Sequence, residues 1–182
     1  MENKTFANKI LIEKDFGKKI KIINDVKEEL DIFFDNTIMY KAFVTKMFIE
    51  VMELDVDENI LVTAMMLCGC KKINNAQAIS KIETYAEESA EFLEELGFPK
   101  DFCILCEQHN RYSDKYERKK ESDILEVVDH FAGMLLDRPE RVAFPIEEAL
   151  LLLENRNLKK CNNAYLSDFK KFINIAKEIK IW

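Results

Sequence analysis

The stretch that decides the fold is Leu61–Ile73, LVTAMMLCGCKKI. Its apolar residues recur at helical spacing, and two cysteines then flank Gly69 before two lysines. Asp57 and the glutamate after it lie just upstream and suit the positive end of a helix dipole, so we predict a helix that begins at Asp57. The pattern is typical of a helix that ends in a catalytic motif, although this stretch lacks side chains that would carry out the chemistry there.

The same spacing of three and four recurs through most of the chain. Four glycines and three prolines in 182 residues favour long helices over many short strands. We therefore predict an all-α fold of roughly eight helices, with Gly97 capping the end of one of them. The predicted helices cover Asn3–Glu13, Lys18–Phe34, Thr37–Leu54, a segment from Asp57, Ala76–Gly97, Pro99–Tyr112, Ser122–Leu136, a segment from Pro145, and Leu166–Ile179.

Composition excludes several classes of protein. The net charge of −7 disfavours a nucleic-acid partner, because such binders are normally basic. No secretory signal is visible, and the longest apolar run, Ile60–Cys70, is too short to span a bilayer, so we expect no membrane association. Five cysteines without an export signal indicate reduced thiols and a cytoplasmic location. Only two histidines are present, which excludes a multi-histidine cluster.

Four stretches give the chain a resemblance to a known family. The chain resembles the HD-domain superfamily, and within it the HD-GYP branch of metal-dependent cyclic-dinucleotide phosphodiesterases. The resemblance implies an HD-domain-like bundle over residues 37–182, preceded by an N-terminal helical extension over residues 1–36. The matching stretches are LVTAMMLCGCKKI, YAEESAEFLEELGFPKDFCILCEQHNRY, ILEVVDHFAGMLLDRPERVAFPIEEAL and CNNAYLSDF.

The family's metal ligands are mostly absent from this chain. In the family, histidines and aspartates hold two or three cations that activate a water to attack phosphorus. Only His109 and Asp129 keep a ligand-type residue of the family, and SDKYERKKES stands where the Gly-Tyr-Pro loop would be. Gly69, at the position of a bridging aspartate, has no side chain with which to bind a cation. The vestigial-site positions that the resemblance implies are Met39, Cys68, Gly69, Tyr85, Gln108, His109 and Asp129.

These losses predict a degenerate HD domain with no catalytic residues and no cofactor. We expect it to act as a regulatory or binding module for a nucleotide-like anion, such as a nucleotide or cyclic dinucleotide, or for a protein signalling partner. Lys72, Arg111 and Arg138 are the candidate anion-binding residues. The tight turn that holds Arg138 and Arg141 is interpreted mainly as structural.

Two alternatives remain open. In the first, Cys68, His109 and Asp129 hold zinc, iron or manganese and the chain is a phosphohydrolase with an altered site. In the second, the chain is a helical protein-interaction domain whose pocket is filled by side chains such as Met39 and Tyr85.

For two further features we favour an interpretation that involves no metal, redox or catalytic site. Cys103, Cys106 and His109 share one face of a predicted helix, a spacing that suits core packing of small thiols better than a metal or redox site. His130 follows Asp129 directly, so on a helix it points about 100° away from it, and an exposed or interface histidine is expected.

Overall fold

A computed structural model describes residues 2–72, 85–111, 115–137, 142–159 and 162–178, and every regular element in these ranges is an α-helix. The all-α prediction is confirmed, with nine helices in these ranges against roughly eight predicted. The helices are α1 (Glu2–Ile12), α2 (Phe16–Val26), α3 (Asn36–Val51), α4 (Glu58–Leu67), α5 (Tyr85–Glu95), α6 (Lys100–Glu107), α7 (Ser122–Met134), α8 (Ile146–Lys159) and α9 (Leu166–Glu178).

Aspartate caps fix the starts of three helices. Asp15, Asp35 and Asp57 each accept a hydrogen bond from the backbone N–H three residues further on, at 2.8, 3.0 and 3.0 Å. An aspartate at this position satisfies one of the unpaired N–H groups of the first turn and stabilises the helix by about 1 kcal/mol. The helix start predicted at Asp57 is confirmed.

The junction between α5 and α6 also follows the sequence. Gly97 has a φ of 86°, the left-handed conformation that glycine adopts without strain. Pro99 is the cap residue of α6. The first part of the helix predicted from Ala76, up to residue 84, lies outside the described residues.

The second helix is shorter than predicted. It ends at Val26 rather than Phe34. Asp31 takes a φ of 50°, and the backbone N–H of Phe33 donates to the carbonyl of Cys70 at 2.8 Å. This contact holds the chain against the end of α4. The apolar residues after Val26 therefore reach the core from a non-helical segment and not from a continuation of the helix.

The sixth helix is also shorter than predicted. It ends at Glu107 instead of reaching Tyr112. The carbonyls of Gln108 and Asn110 accept hydrogen bonds from the guanidinium of Arg118. A side chain from the following loop therefore satisfies carbonyl groups that a continuing helix would have used.

An aromatic cluster marks the centre of the core. The rings of Phe48 on α3 and Phe131 on α7 meet Phe169 on α9 edge-on, with centroid distances of 5.0 and 5.1 Å. All three are 0% exposed. Helix α3 packs against both α4 and α7. No helix among the described residues is long and apolar enough to cross a membrane.

The first two helices pack against α4. Phe6 and Ile10 are buried in the same core as α3 and α4. Asn59 donates to the carbonyl of Leu11 at 2.6 Å. Lys19, which is 1% exposed, donates from Nζ to the carbonyl of Ile10 and to Oγ1 of Thr63 at 2.7 and 2.6 Å.

Candidate functional site

A buried ion pair lies at the centre of the candidate site. Nζ of Lys41 on α3 lies 2.6 Å from Oδ1 of Asp129 on α7, and their side chains are 7% and 19% exposed. Burial by itself raises the pKa of a carboxyl group, but the positive charges of Lys41 and Lys72 hold the pKa of Asp129 well below its usual range. Asp129 is therefore ionised at neutral pH and has an ammonium group as its counter-ion.

Both ring nitrogens of His109 are occupied. Nδ1 lies 2.8 Å from the carbonyl of Cys106, which can only accept, so Nδ1 carries the proton. Nε2 lies 2.8 Å from the hydroxyl of Tyr85, which donates to the remaining lone pair. Burial lowers the pKa of His109, which is 1% exposed, so the imidazole is neutral in this arrangement.

Cys68 and Gly69 lie just after the end of α4. Cys68 is 3% exposed, its Sγ donates to the carbonyl of Met65 at 3.7 Å, and burial raises the pKa of its thiol. A Cβ added at Gly69 would lie 3.9 Å from the nearest atoms of Lys72 and Tyr85, an ordinary contact distance. Glycine is therefore not required here by space or by a positive φ.

The side chain of Gln108 forms hydrogen bonds with the loop that precedes α7. Its Nε2 donates to the carbonyls of Tyr116 and Glu117 at 3.2 and 2.9 Å. Its Oε1 accepts from the backbone N–H of Lys119 at 2.8 Å and from Ser122 at 3.2 Å. The side chain is thus fully used in fixing residues 116–122 against the end of α6.

Arg111 contacts two buried carboxylates. Its Nε donates to both oxygens of Glu126 at 2.9 and 3.0 Å, and an NH2 group donates to Asp123 at 3.0 Å. Arg118 contacts the same two carboxylates at 2.8 and 3.2 Å. Asp123 and Glu126 have side chains that are 8% and 3% exposed. Of the three candidate anion-binding residues, Arg111 is therefore engaged in a structural network.

The other two candidate anion-binding residues differ in what can be described. Lys72 holds its Nζ 5.4 Å from the ring centre of Tyr85, beside the candidate site. Arg138 lies outside the described residues, as does Arg141. Met39 is partly buried and packs against the hydrophobic core, and the α3 side chain that reaches Asp129 is Lys41.

This donor set does not fit the metal centre that the resemblance implies. The lone pair of His109 accepts a hydrogen bond, Asp129 is paired with an ammonium group, and Cys68 holds a protonated thiol. A divalent cation needs several such donors at once to offset its dehydration. In the part of the chain that the structure describes, no group of three or more His, Cys, Asp and Glu side chains is arranged to hold a metal ion.

The cysteines of the described segments are packed thiols. Cys68, Cys70, Cys103 and Cys106 are free and buried. Burial raises the pKa of all four, to about 11 for Cys103. Protonated, enclosed thiols are poor nucleophiles and poor metal ligands, so their surroundings suit core packing.

A pocket opens between α7 and α8 beside Asp129. Its volume is about 350 Å³. His130 lines it together with Asp129, and burial lowers the pKa of His130 to about 4. His130 is partly buried and lines this pocket. The lining residues are Asp129, His130, Gly133, Met134, Leu152, Leu153 and Arg156.

Two side chains at the candidate site and its pocket were missed from the sequence. Lys41 is the partner of Asp129, and its signal is its register: it falls four and seven residues before Thr45 and Phe48, on the buried face of α3. Arg156 lies in a segment of α8 that carries no motif, so only the packing of α8 on α7 brings it to the pocket.

The described residues form an all-α fold with two buried polar pairs, Lys41–Asp129 and Tyr85–His109. The pocket between α7 and α8 lies beside Asp129. Comparison with family models, with curated proteins and with solved structures found no match to this chain.

Proposed function

We propose that this chain is a degenerate HD domain that does not hydrolyse phosphodiesters and acts as a regulatory or binding module. The observation that carries the proposal is the Lys41–Asp129 pair, because an internal ammonium group neutralises the negative charge that a metal cation would need. The hydrogen bond from Tyr85 to His109 supports it, since the imidazole lone pair is also taken. Buried free thiols support a reducing, cytoplasmic setting.

Among the ligands of such a module, we favour a nucleotide-like anion. The pocket of about 350 Å³ is lined in part by the guanidinium-bearing Arg156 and is large enough for a small ligand. It also combines apolar walls with a few polar groups, the usual composition of a ligand site.

A second candidate is a helical protein-interaction domain. The observation in its favour is a set of exposed apolar side chains near the start of α8 and on it: Val142, Leu151 and Leu152 are 80%, 54% and 38% exposed.

A screen of nucleotides and cyclic dinucleotides by thermal shift separates the two candidates. A concentration-dependent rise in Tm supports the ligand module, and no rise with any of them supports the protein-interaction domain.

The hydrolytic alternative is tested with protein purified without chelators or metal-affinity steps. We expect far less than one zinc, iron or manganese ion per chain by elemental analysis. We also expect no turnover of a cyclic dinucleotide or of a generic phosphodiester after manganese, iron or zinc is added. Stoichiometric metal, with turnover that is lost in His109→Asn and Asp129→Asn, would overturn the proposal and establish a rebuilt site of Cys68, His109 and Asp129.

A further inference from the structure

The pocket between α7 and α8 has two poles of opposite charge. Asp129 and His130 line one part of it through α7, and Arg156 lines another part through α8. Met134, Leu153 and other apolar groups also line the pocket.

Asp129 keeps one oxygen for a ligand. Its Oδ1 accepts from Lys41 at 2.6 Å, and no side chain or backbone group among the described residues donates to its Oδ2. A carboxylate has about four acceptor positions, so one hydrogen bond leaves most of them unused. The side chain is 19% exposed and lines the pocket, which makes it a fixed anionic acceptor there.

Arg156 is a surplus cation. Its nearest carboxylate is Glu126, at 3.6 Å, which is beyond good hydrogen-bond distance. Glu126 and Asp123 are already balanced in charge by Arg111 and Arg118. Arg156 makes no hydrogen bond to any described residue, and its side chain is 40% exposed. A guanidinium with its donors unused suits a carboxylate or phosphate.

The third polar group, His130, is an uncharged partner. No described residue forms a hydrogen bond with its ring, which therefore offers one donor and one acceptor to the pocket in its neutral form. The volume of about 350 Å³ is near the small end of ligand pockets. Together these features select for a compact molecule rather than a long polymer.

We propose that this pocket binds a small bipolar molecule, with an N–H donor directed at Asp129, a carboxylate or phosphate directed at Arg156, and an apolar body against Met134, Leu152 and Leu153. This inference rests on the proposed function, because it assigns the ligand class of the same module. Nucleoside monophosphates and amino acids both have this chemistry, and the experiment distinguishes them.

The test measures affinity by titration calorimetry for two families of probes. In the first, guanosine monophosphate is compared with guanosine, which lacks the anion, and with ribose 5-phosphate, which lacks the N–H donor. In the second, phenylalanine is compared with phenylalaninamide and with 3-phenylpropanoate. We expect one bipolar probe to bind about tenfold or more tightly than both of its one-pole analogues, since a charged hydrogen bond contributes that much.

Arg156→Gln provides the protein side of the test. It should weaken the bipolar probe about tenfold or more, and Arg156→Lys should retain part of the affinity. Lys170→Gln is the matched control, because it also removes one positive charge from a side chain that is 40% exposed, on α9 and outside the pocket lining. The control should bind within about twofold of the unchanged protein.

Three outcomes would overturn the inference. They are equal affinity for bipolar and one-pole probes, unchanged affinity in Arg156→Gln, and no binding of any probe at millimolar concentration. None of them depends on hydrolysis, so the proposed function fails separately, through metal content and turnover.

Discussion

At the scale of single residues, the candidate site is defined by pairs that satisfy each other. Lys41 neutralises Asp129, and Tyr85 donates to His109. A lone buried carboxylate or an unfilled imidazole lone pair would be costly. These two pairs therefore keep polar groups inside the bundle without a metal ion.

The ion pair gives the first prediction. Lys41→Met leaves Asp129 ionised and without its counter-ion, so we expect a loss of about 2 to 4 kcal/mol in the free energy of unfolding, measured by urea denaturation. Adding Asp129→Asn to the variant should recover part of the loss, because the uncompensated charge is then gone.

The control for this prediction is on the same helix. Lys46→Met removes a lysine that pairs with Glu50 and Glu58 at a more exposed position, and it should cost less than about 1 kcal/mol. Equal losses in Lys41→Met and Lys46→Met would show that burial of the Lys41–Asp129 pair has no special effect.

At the scale of elements, Lys19 ties the first two helices to α4. Its Nζ bonds the carbonyl of Ile10 on α1 and the hydroxyl of Thr63 on α4. Burial lowers the pKa of Lys19 to about 8, against a smaller opposing effect of Glu13 and Asp57. The helix-to-helix contact therefore includes a lysine that loses its charge more easily than usual.

This lysine gives the second prediction, a pH dependence of stability. The pKa in the folded state, about 8, is below the unfolded value of 10.5, so the unfolded chain binds more protons between these values. Stability should therefore rise with pH from about 8 to about 10.5 through this group. Lys19→Met should remove that part of the rise, measured as urea denaturation at pH 7.5 and 10.

Lys18→Met is the control, since Lys18 is an exposed neighbour on the same helix. Its pH dependence should match that of the unchanged protein. If Lys19→Met keeps the full rise between pH 7.5 and 10, then Lys19 titrates as an ordinary lysine and the contact is not sensitive to pH.

At the scale of the whole molecule, both histidines are held neutral by the packed bundle. Burial lowers the pKa of His109 and lowers that of His130 to about 4. In the unfolded chain both histidines have a pKa near the ordinary value of 6.5. The stability gained from neutral histidines is therefore complete above about pH 6.5 and is lost as the pH falls toward 4.

The third prediction follows for acid conditions. The contribution of His130 is on the order of 2 to 3 kcal/mol, so His130→Gln should flatten the fall in unfolding free energy between pH 7 and 5. His109, the second of the two histidines in the chain, contributes to the slope that remains. Parallel curves for His130→Gln and the unchanged protein would mean that His130 is not held neutral by the fold.

The sequence by itself determined the all-α class, the cap at Asp57 and the turn at Gly97. Each of these depends on residues within one or two helical turns, and periodicity and capping act at that range. The ends of α2 and α6 were not predicted, because they depend on contacts with other segments of the chain. One such contact is the hydrogen bond from the backbone N–H of Phe33 to the carbonyl of Cys70.

Only the tertiary structure decided the site. Lys41 and Asp129 are 88 residues apart, and Tyr85 and His109 are 24 apart, so no local pattern links the partners of either pair. The resemblance predicted a site around Cys68 and Gly69, but no local pattern predicted the Lys41–Asp129 and Tyr85–His109 pairs. The packing of α3 against α7 brings the ammonium group of Lys41 to the carboxylate of Asp129. This pairing stabilises both groups, because a buried charge is stable only with a partner in reach.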